Sequence, residues 1–141
     1  MSWTDDTDGF PLLWIEIVLD PLDNHIKCHL TQCLIDIGQK LDTDLVTIIS
    51  PIVLGLEHRL RRAIETLQEH KQAITFILDT PVRVVKVVER MVAMIRSIYQ
   101  EVIVIVPDWA ISAGTIFALS TDKIMMDHFS CLGPIDPQIE R

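Results

Sequence analysis

Val102-Ile103-Val104-Ile105-Val106 is an unbroken run of β-branched apolar residues between Glu101 and Pro107, and such a run has no polar face to turn toward water. Its length and composition predict a strand buried on both faces, the kind found in a parallel sheet covered by helices. Immediately after it the chain becomes small and polar: Pro107-Asp108-Trp109-Ala110-Ile111-Ser112-Ala113-Gly114-Thr115. Ala113 to Leu119 then reads as a helix packed closely through Ala113, Gly114 and Ala118. Two readings of Ser112 at the head of that helix stay open. It is an ordinary N-cap, worth about 1 kcal/mol, or it is a hydroxyl nucleophile beside backbone N–H groups and a helix dipole that stabilise developing negative charge.

The rest of the chain supplies partners for that strand. Leu12 to Leu19 is apolar enough for a strand or a short buried helix, and periodicity does not separate the two. From Asn24, Ile26, Leu30, Cys33, Leu34, Ile37 and Leu41 recur at three- and four-residue steps, which predicts an amphipathic helix whose stripe packs within the chain or against a second copy. Leu45 to Ser50 reads as a strand closed by Pro51. A second helix follows Gly55, with Leu56, Leu60, Ala63, Ile64 and Leu67 inside and an Arg61–Glu65 pair outside. Ala73 to Leu78 reads as a strand ended by Asp79-Thr80-Pro81, then a helix carries Val84, Val87, Val88, Met91, Val92, Ile95 and Ile98 inward, and Lys123 to Met126 forms a last short strand. This alternation predicts right-handed βαβ units in a parallel sheet. Sites in such sheets form at the carboxyl ends of strands. The loop from Asp79 and the loop from Pro107 to Ser112 therefore fall at one edge.

Composition removes several classes of function. The 141 residues are 49% hydrophobic with a mean hydropathy of +0.33, enough for one domain with a real core, and the formal charge is −8. That charge argues against nucleic acid and against an anionic membrane surface as partners. Its distribution is uneven, because residues 1–44 hold nine acids against Lys27 and Lys40. Residues 1–10 read as an acidic tail. Cys28, Cys33 and Cys131 are odd in number and unpaired in spacing, which fits a reducing compartment, and no metal site is expected from Cys28-His29 or from Cys33 with His25. The acidic start is no signal peptide and no apolar window reaches eighteen residues, so a cytoplasmic protein without an integral membrane segment is expected.

Val106-Pro107-Asp108-Trp109-Ala110-Ile111-Ser112-Ala113-Gly114-Thr115, with Ala118-Leu119, Asp122-Lys123-Ile124-Met125-Met126 and Leu132-Gly133-Pro134-Ile135-Asp136-Pro137-Gln138, resembles the core of the serine dehydrogenase proteinase family. That family is similar to signal peptide peptidase A and shares the Clp protease/crotonase fold. The match is specific from Leu78 to Gln138 and weaker back to about Trp14. It implies an α/β fold of repeated β-β-α and βαβ units around a mainly parallel sheet, C-terminally incomplete, with residues 11–44 as a helical extension and 45–141 as the core.

The resemblance also implies a serine peptidase working through an acyl-enzyme on Ser112, with the Ala113 N–H as an oxyanion donor, a peptide or protein substrate, no cofactor, and assembly as a homo-oligomer. The chain departs from the family where Asp-Thr-Pro-Gly-Gly is replaced by Asp79-Thr80-Pro81-Val82-Arg83. Those two glycines help form the family's oxyanion hole. Arg83 accordingly reads as a solvated charge at the sheet edge, as a contact for a substrate carboxylate or oxyanion, or as the mark of an inactive member. Lys123 and His128 follow the serine, but neither matches a family position for the general base. Asp136 reads first as a turn-forming residue and second as an orienter of a base. The alternative function is a catalytically degenerate member acting as an assembly or interaction subunit. A third, acyl-CoA chemistry as in crotonases, fits the fold and not the serine motif.

Overall fold

The β-branched runs become strands because each is flanked by a helix whose apolar stripe covers it. The computed structural model of the chain describes residues 13–15, 24–49, 51–81 and 84–135. In order these form β1 (Leu13–Ile15), α1 (Asn24–Leu41), β2 (Asp44–Ile49), α2 (Leu56–Glu65), β3 (Ala73–Pro81), α3 (Val85–Ile98), β4 (Glu101–Val106), β5 (Trp109–Ile111), α4 (Ala113–Leu119), β6 (Lys123–Met126) and β7 (Cys131–Leu132). The main sheet runs β1-β2-β3-β4-β6, and every strand pairing among the described residues is parallel. Val46, Phe76 and Val104 stand level across its centre and are fully buried.

Leu13–Ile15 takes the strand alternative of the apolar N-terminal stretch, pairing with β2 at the sheet edge. The predicted end of β3 needs correction. Asp79-Thr80-Pro81 does not leave the sheet as a loop, because β3 outruns its partners and pairs Thr80 with Ala110 and Pro81 with Ile111 of β5. β5 in turn pairs with β7, Trp109 with Cys131 and Ala110 with Leu132. A second small sheet thus branches from the end of β3, with a proline tolerated there because β3 is an edge strand beyond Asp79, paired with β5 alone.

The apolar stripe of α1, for which two packing alternatives were open, does not take the first of them. Leu30 is 44% exposed and Cys33 is also exposed, while Leu34, Ile37 and Leu41 are only partly covered, so among the described residues that stripe is not packed into the core. Among the described residues the helix makes its main contact with β2, at one side of the sheet. The other helices follow their spacing, except that Ile98, expected inside, is 39% exposed at the end of α3, where the helix runs out past its covering layer. α2 buries Leu56, Leu60 and Ile64, α3 buries Val87, Val88, Met91 and Ile95, and α4 buries Ala113, Phe117 and Ala118. The rings of Phe76 and Phe117 meet edge to face, with centroids 5.1 Å apart, which anchors α4 on the centre of the sheet.

Polar ties hold the layers in register. Tyr99, at the end of α3, donates its hydroxyl to Asp44 Oδ2 at 2.7 Å, and burial and that carboxylate raise the phenol far above its ordinary pKa, so it remains a donor. Glu57 links α2 to α3 by accepting from Arg90 Nη1 at 3.2 Å, and its other oxygen accepts the Gly55 N–H at 3.0 Å. Its pKa lies below the ordinary value, chiefly through a hydrogen bond from its own backbone N–H, with Gly55, Arg90 and His58 adding to the effect against the cost of desolvation. A depressed folded-state pKa makes the stabilisation complete above the unfolded value of about 4.3 and removes it as the pH falls through the folded value. Glu57→Gln is therefore expected to flatten the acid side of a stability-versus-pH profile, measured by urea denaturation between pH 3 and 7, relative to the wild type.

Candidate active site

Three parallel strands end together at one edge: β3 at Pro81, β5 at Ile111 and β7 at Leu132. The chain leaves β5 through Ser112 directly into α4, with no intervening loop. That reversal forces an unusual backbone. Ser112 has φ 56° and ψ −116°, in a region that residues with a Cβ rarely occupy, and only Asp42 shares a positive φ among the described non-glycine residues. An N-cap residue has extended dihedrals and accepts an N–H from the first turn through its side chain. Ser112 does neither, since its side chain makes no capping hydrogen bond. The plain capping reading is thereby corrected. Its carbonyl does accept the Ile116 N–H at 3.1 Å, which closes the first helical turn around it.

Three neighbours hold the turn. Gly114 comes so close to β3 that a Cβ added there would lie 2.6 Å from Thr80 Cγ2, so only glycine lets α4 pack against the strand. Gly133 lies similarly against Ile111, where an added Cβ would meet Cγ1 at 2.9 Å. Thr115 is buried, and its hydroxyl reaches the carbonyls of Ala110 at 2.8 Å and Gly133 at 3.0 Å. Strain of this kind costs about 1–3 kcal/mol and persists only where the surroundings over-determine it. Sharp strand-to-helix turns that push a serine forward in a strained conformation are a known way to present a nucleophile.

Ser112 is partly exposed, and its hydroxyl makes no hydrogen bond among the described residues. Ala113 follows fully buried, with its N–H in the first turn, where α-helices leave donors without intrahelical acceptors. Val82 and Arg83 lie outside the described residues, as does Asp136. The candidate bases fall elsewhere. Lys123 is level with Ile103 and so with Thr75, whereas Ile111 is level with Pro81, and the six steps of β3 between them span roughly 20 Å. Lys123 is instead paired with Glu101 at 2.6 Å. His128 precedes β7 while Ser112 follows β5, and because those strands are parallel the two residues stand at opposite ends of the pair. His58 and His70 lie on the helical side and amino edge respectively, His58 exposed and His70 beside Tyr99 and Asp44. Among the described residues no group of three or more His, Cys, Asp or Glu is arranged to hold a metal ion.

The model of the ClpP-like SDH-type serine proteinase family matches residues 12–141. The chain belongs to this family. Two uncharacterised proteins of Methanocaldococcus jannaschii are 40% and 32% identical to it over 88 residues, 62% of this chain and 30% of each of theirs. The chain spans under a third of their length. Among solved structures, a membrane-bound stomatin-specific protease, determined as a serine-to-alanine mutant, is 26% identical with a TM-score of 0.59 over 67% of this chain and 48% of its own. A lysine-to-alanine mutant of that protease, in complex with a substrate peptide, is 29% identical with a TM-score of 0.58 over 67% of this chain and 45% of its own. A ClpP protease from Listeria monocytogenes, 26% identical with a TM-score of 0.50, covers 60% of this chain and 51% of its own.

The ClpP-like fold expected from the serine motif is therefore the fold the chain has. Sequence reasoning singled out Ser112 as the candidate but did not anticipate the hydrogen bonds of Thr115 or the β5–β7 pair. The available signal was the small-residue spacing Ala110, Gly114 and Gly133, which marks close backbone approach. Two substitutions separate strain from packing at this turn. Ser112→Gly is expected to be more stable than Ser112→Ala by roughly 1 kcal/mol, the strain relieved less the backbone entropy of glycine. Gly114→Ala is expected to lose about 1–3 kcal/mol by overpacking against Thr80. Denaturant melts of the three variants beside the wild type check both.

Proposed function

We propose that this chain carries the nucleophile side of a serine peptidase site. Ser112 Oγ attacks the carbonyl carbon of a peptide bond, the carbonyl oxygen becomes an oxyanion, and the Ala113 N–H donates to it. The serine proton passes to a base and then to the leaving amine, leaving an acyl-enzyme ester that water hydrolyses. The observation that carries this reading is the strained, uncapped Ser112 at the junction of β5 and α4, in a chain of a serine proteinase family. Support also comes from a neighbour of the same fold solved with a substrate peptide bound.

The base comes from outside the described residues, either in this chain or in a second copy. The pairing of Pro81 with Ile111 brings the chain that leaves β3 beside the chain that reaches Ser112, which supports Val82 and Arg83 as the second wall of the oxyanion site. Assembly as a homo-oligomer is supported by the uncovered stripe of α1, with Leu30 and Cys33 open to solvent. No helix among the described residues is long and apolar enough to cross a membrane.

A fluorophosphonate probe tests the reading. Stoichiometric labelling of Ser112, located by peptide mass spectrometry and lost in Ser112→Ala, is the expected result, and a folded wild type that takes no label rejects it. The second reading, a degenerate subunit that binds without cleaving, is favoured by Val82-Arg83 in place of the family's glycines. If those residues weaken an oxyanion site, Val82→Gly with Arg83→Gly should speed labelling by tenfold or more, since one oxyanion donor is typically worth about 10²–10³ in rate.

A further inference from the structure

We propose that Thr115 is a positioning residue for the candidate nucleophile, its hydroxyl acting as a clamp that fixes the segment after β7 against the Ser112 turn. The proposal rests on the serine peptidase reading and names what holds that site in shape.

The geometry is specific. Thr115 sits one helical position past Gly114, on the first turn of α4, and is almost wholly buried. Its single hydroxyl proton faces two carbonyl oxygens, that of Ala110 at 2.8 Å and that of Gly133 at 3.0 Å. Ala110 lies two residues before Ser112 and already accepts the Gly133 N–H at 2.8 Å. The Ala110 carbonyl therefore has a second donor, whereas no other hydrogen bond to the Gly133 carbonyl is made among the described residues. Pro134 follows and brings no N–H of its own. Without the threonine hydroxyl, what ties the path from Gly133 to Ile135 to the Ser112 turn among the described residues is the β7 pairing, the Gly133 N–H bond to the Ala110 carbonyl and the contact of Gly133 with Ile111.

The chemical need for such a clamp follows from the strain at Ser112. A residue at φ 56° is held there by its neighbours rather than by its own preference. β5 and β7 are strands of three and two residues respectively, too short to fix a segment by pairing alone. A helix side chain that bridges both strand ends couples the position of the serine to the position of the chain following Leu132. Small misplacements near a reacting atom are costly, on the order of 10² in rate for about 1 Å.

Thr115→Val keeps the shape and removes the hydroxyl, and Thr115→Ser keeps the hydroxyl and removes the methyl. Each is compared with the wild type by the rate of fluorophosphonate labelling at Ser112 and by amide hydrogen exchange. The expected result is a fall in labelling rate of tenfold or more in Thr115→Val, with Thr115→Ser within threefold of the wild type. Exchange at Cys131 and Gly133 should be faster in the valine variant alone, while amides of β2, β3 and β4 keep their protection. Labelling and exchange in Thr115→Val that match the wild type overturn the proposal. So does a loss of protection spread evenly over the core, which would make Thr115 a general packing residue. A wild type that takes no label defeats the peptidase reading, and the exchange contrast between the valine and serine variants then decides the clamp by itself.

Discussion

The close approach of α4 to the end of β3 is the constraint on which the rest of the site depends. Thr80 Cγ2 occupies the space that a side chain at position 114 would need, so the helix begins hard against the strand and the chain has no room for a loop between β5 and α4. Ser112 takes up the whole change of direction and its backbone is forced to a positive φ. Glycine would meet that demand at lower cost, and a serine there is a stability sacrifice that a purely structural turn has no reason to make.

β3 makes this possible by belonging to two sheets. Its first part pairs with β2 and β4 and lies in the centre of the core, where Ile74, Phe76 and Leu78 are fully buried. Its last two residues pair with β5 instead. A rigid strand therefore runs from the best-packed region of the molecule to the edge where Ser112 stands, and the Phe76–Phe117 contact ties α4 to the same strand from the other side. Functional groups on rigid elements are held more closely than groups on loops. Here the serine gains that precision from its two flanking elements although it belongs to neither.

The surface opposite in character is the far edge of the main sheet. All four residues of β6 are exposed, and Phe129 in the following turn is 87% exposed. The turn itself is ordered by Asp127, whose carboxylate accepts the Phe129 and Ser130 N–H groups and the Ser130 hydroxyl at 2.8–2.9 Å, and these bonds, the Ser130 hydroxyl first, lower its pKa. Local hydrogen bonds thus define the backbone of a segment whose apolar side chains are left uncovered among the described residues. The stripe of α1 shows the same combination of regular backbone and open apolar surface.

What the sequence determined by itself is the set of elements with strong periodicity. The runs at Leu45, Ala73 and Val102 are too apolar and β-branched for anything but buried strands, and the stripes of α2 and α3 follow their three- and four-residue spacing at their centres, with Ile98 at the end of α3 the residue that departs from it. The serine motif marked the family and the junction at which the strained Ser112 stands. Tertiary structure alone decided the rest, because those features depend on partners distant in the chain. β5 and β7 are too short to show a period and exist only because β3 runs past its neighbours to meet them. Whether Ser112 was a cap or a strained turn hinged on the space beside Gly114, which Thr80 fills from thirty-four positions away. The stripe of α1 looked as core-like as that of α3, yet one lies over the middle of the sheet and the other at its margin, and only the order of the strands sets that difference.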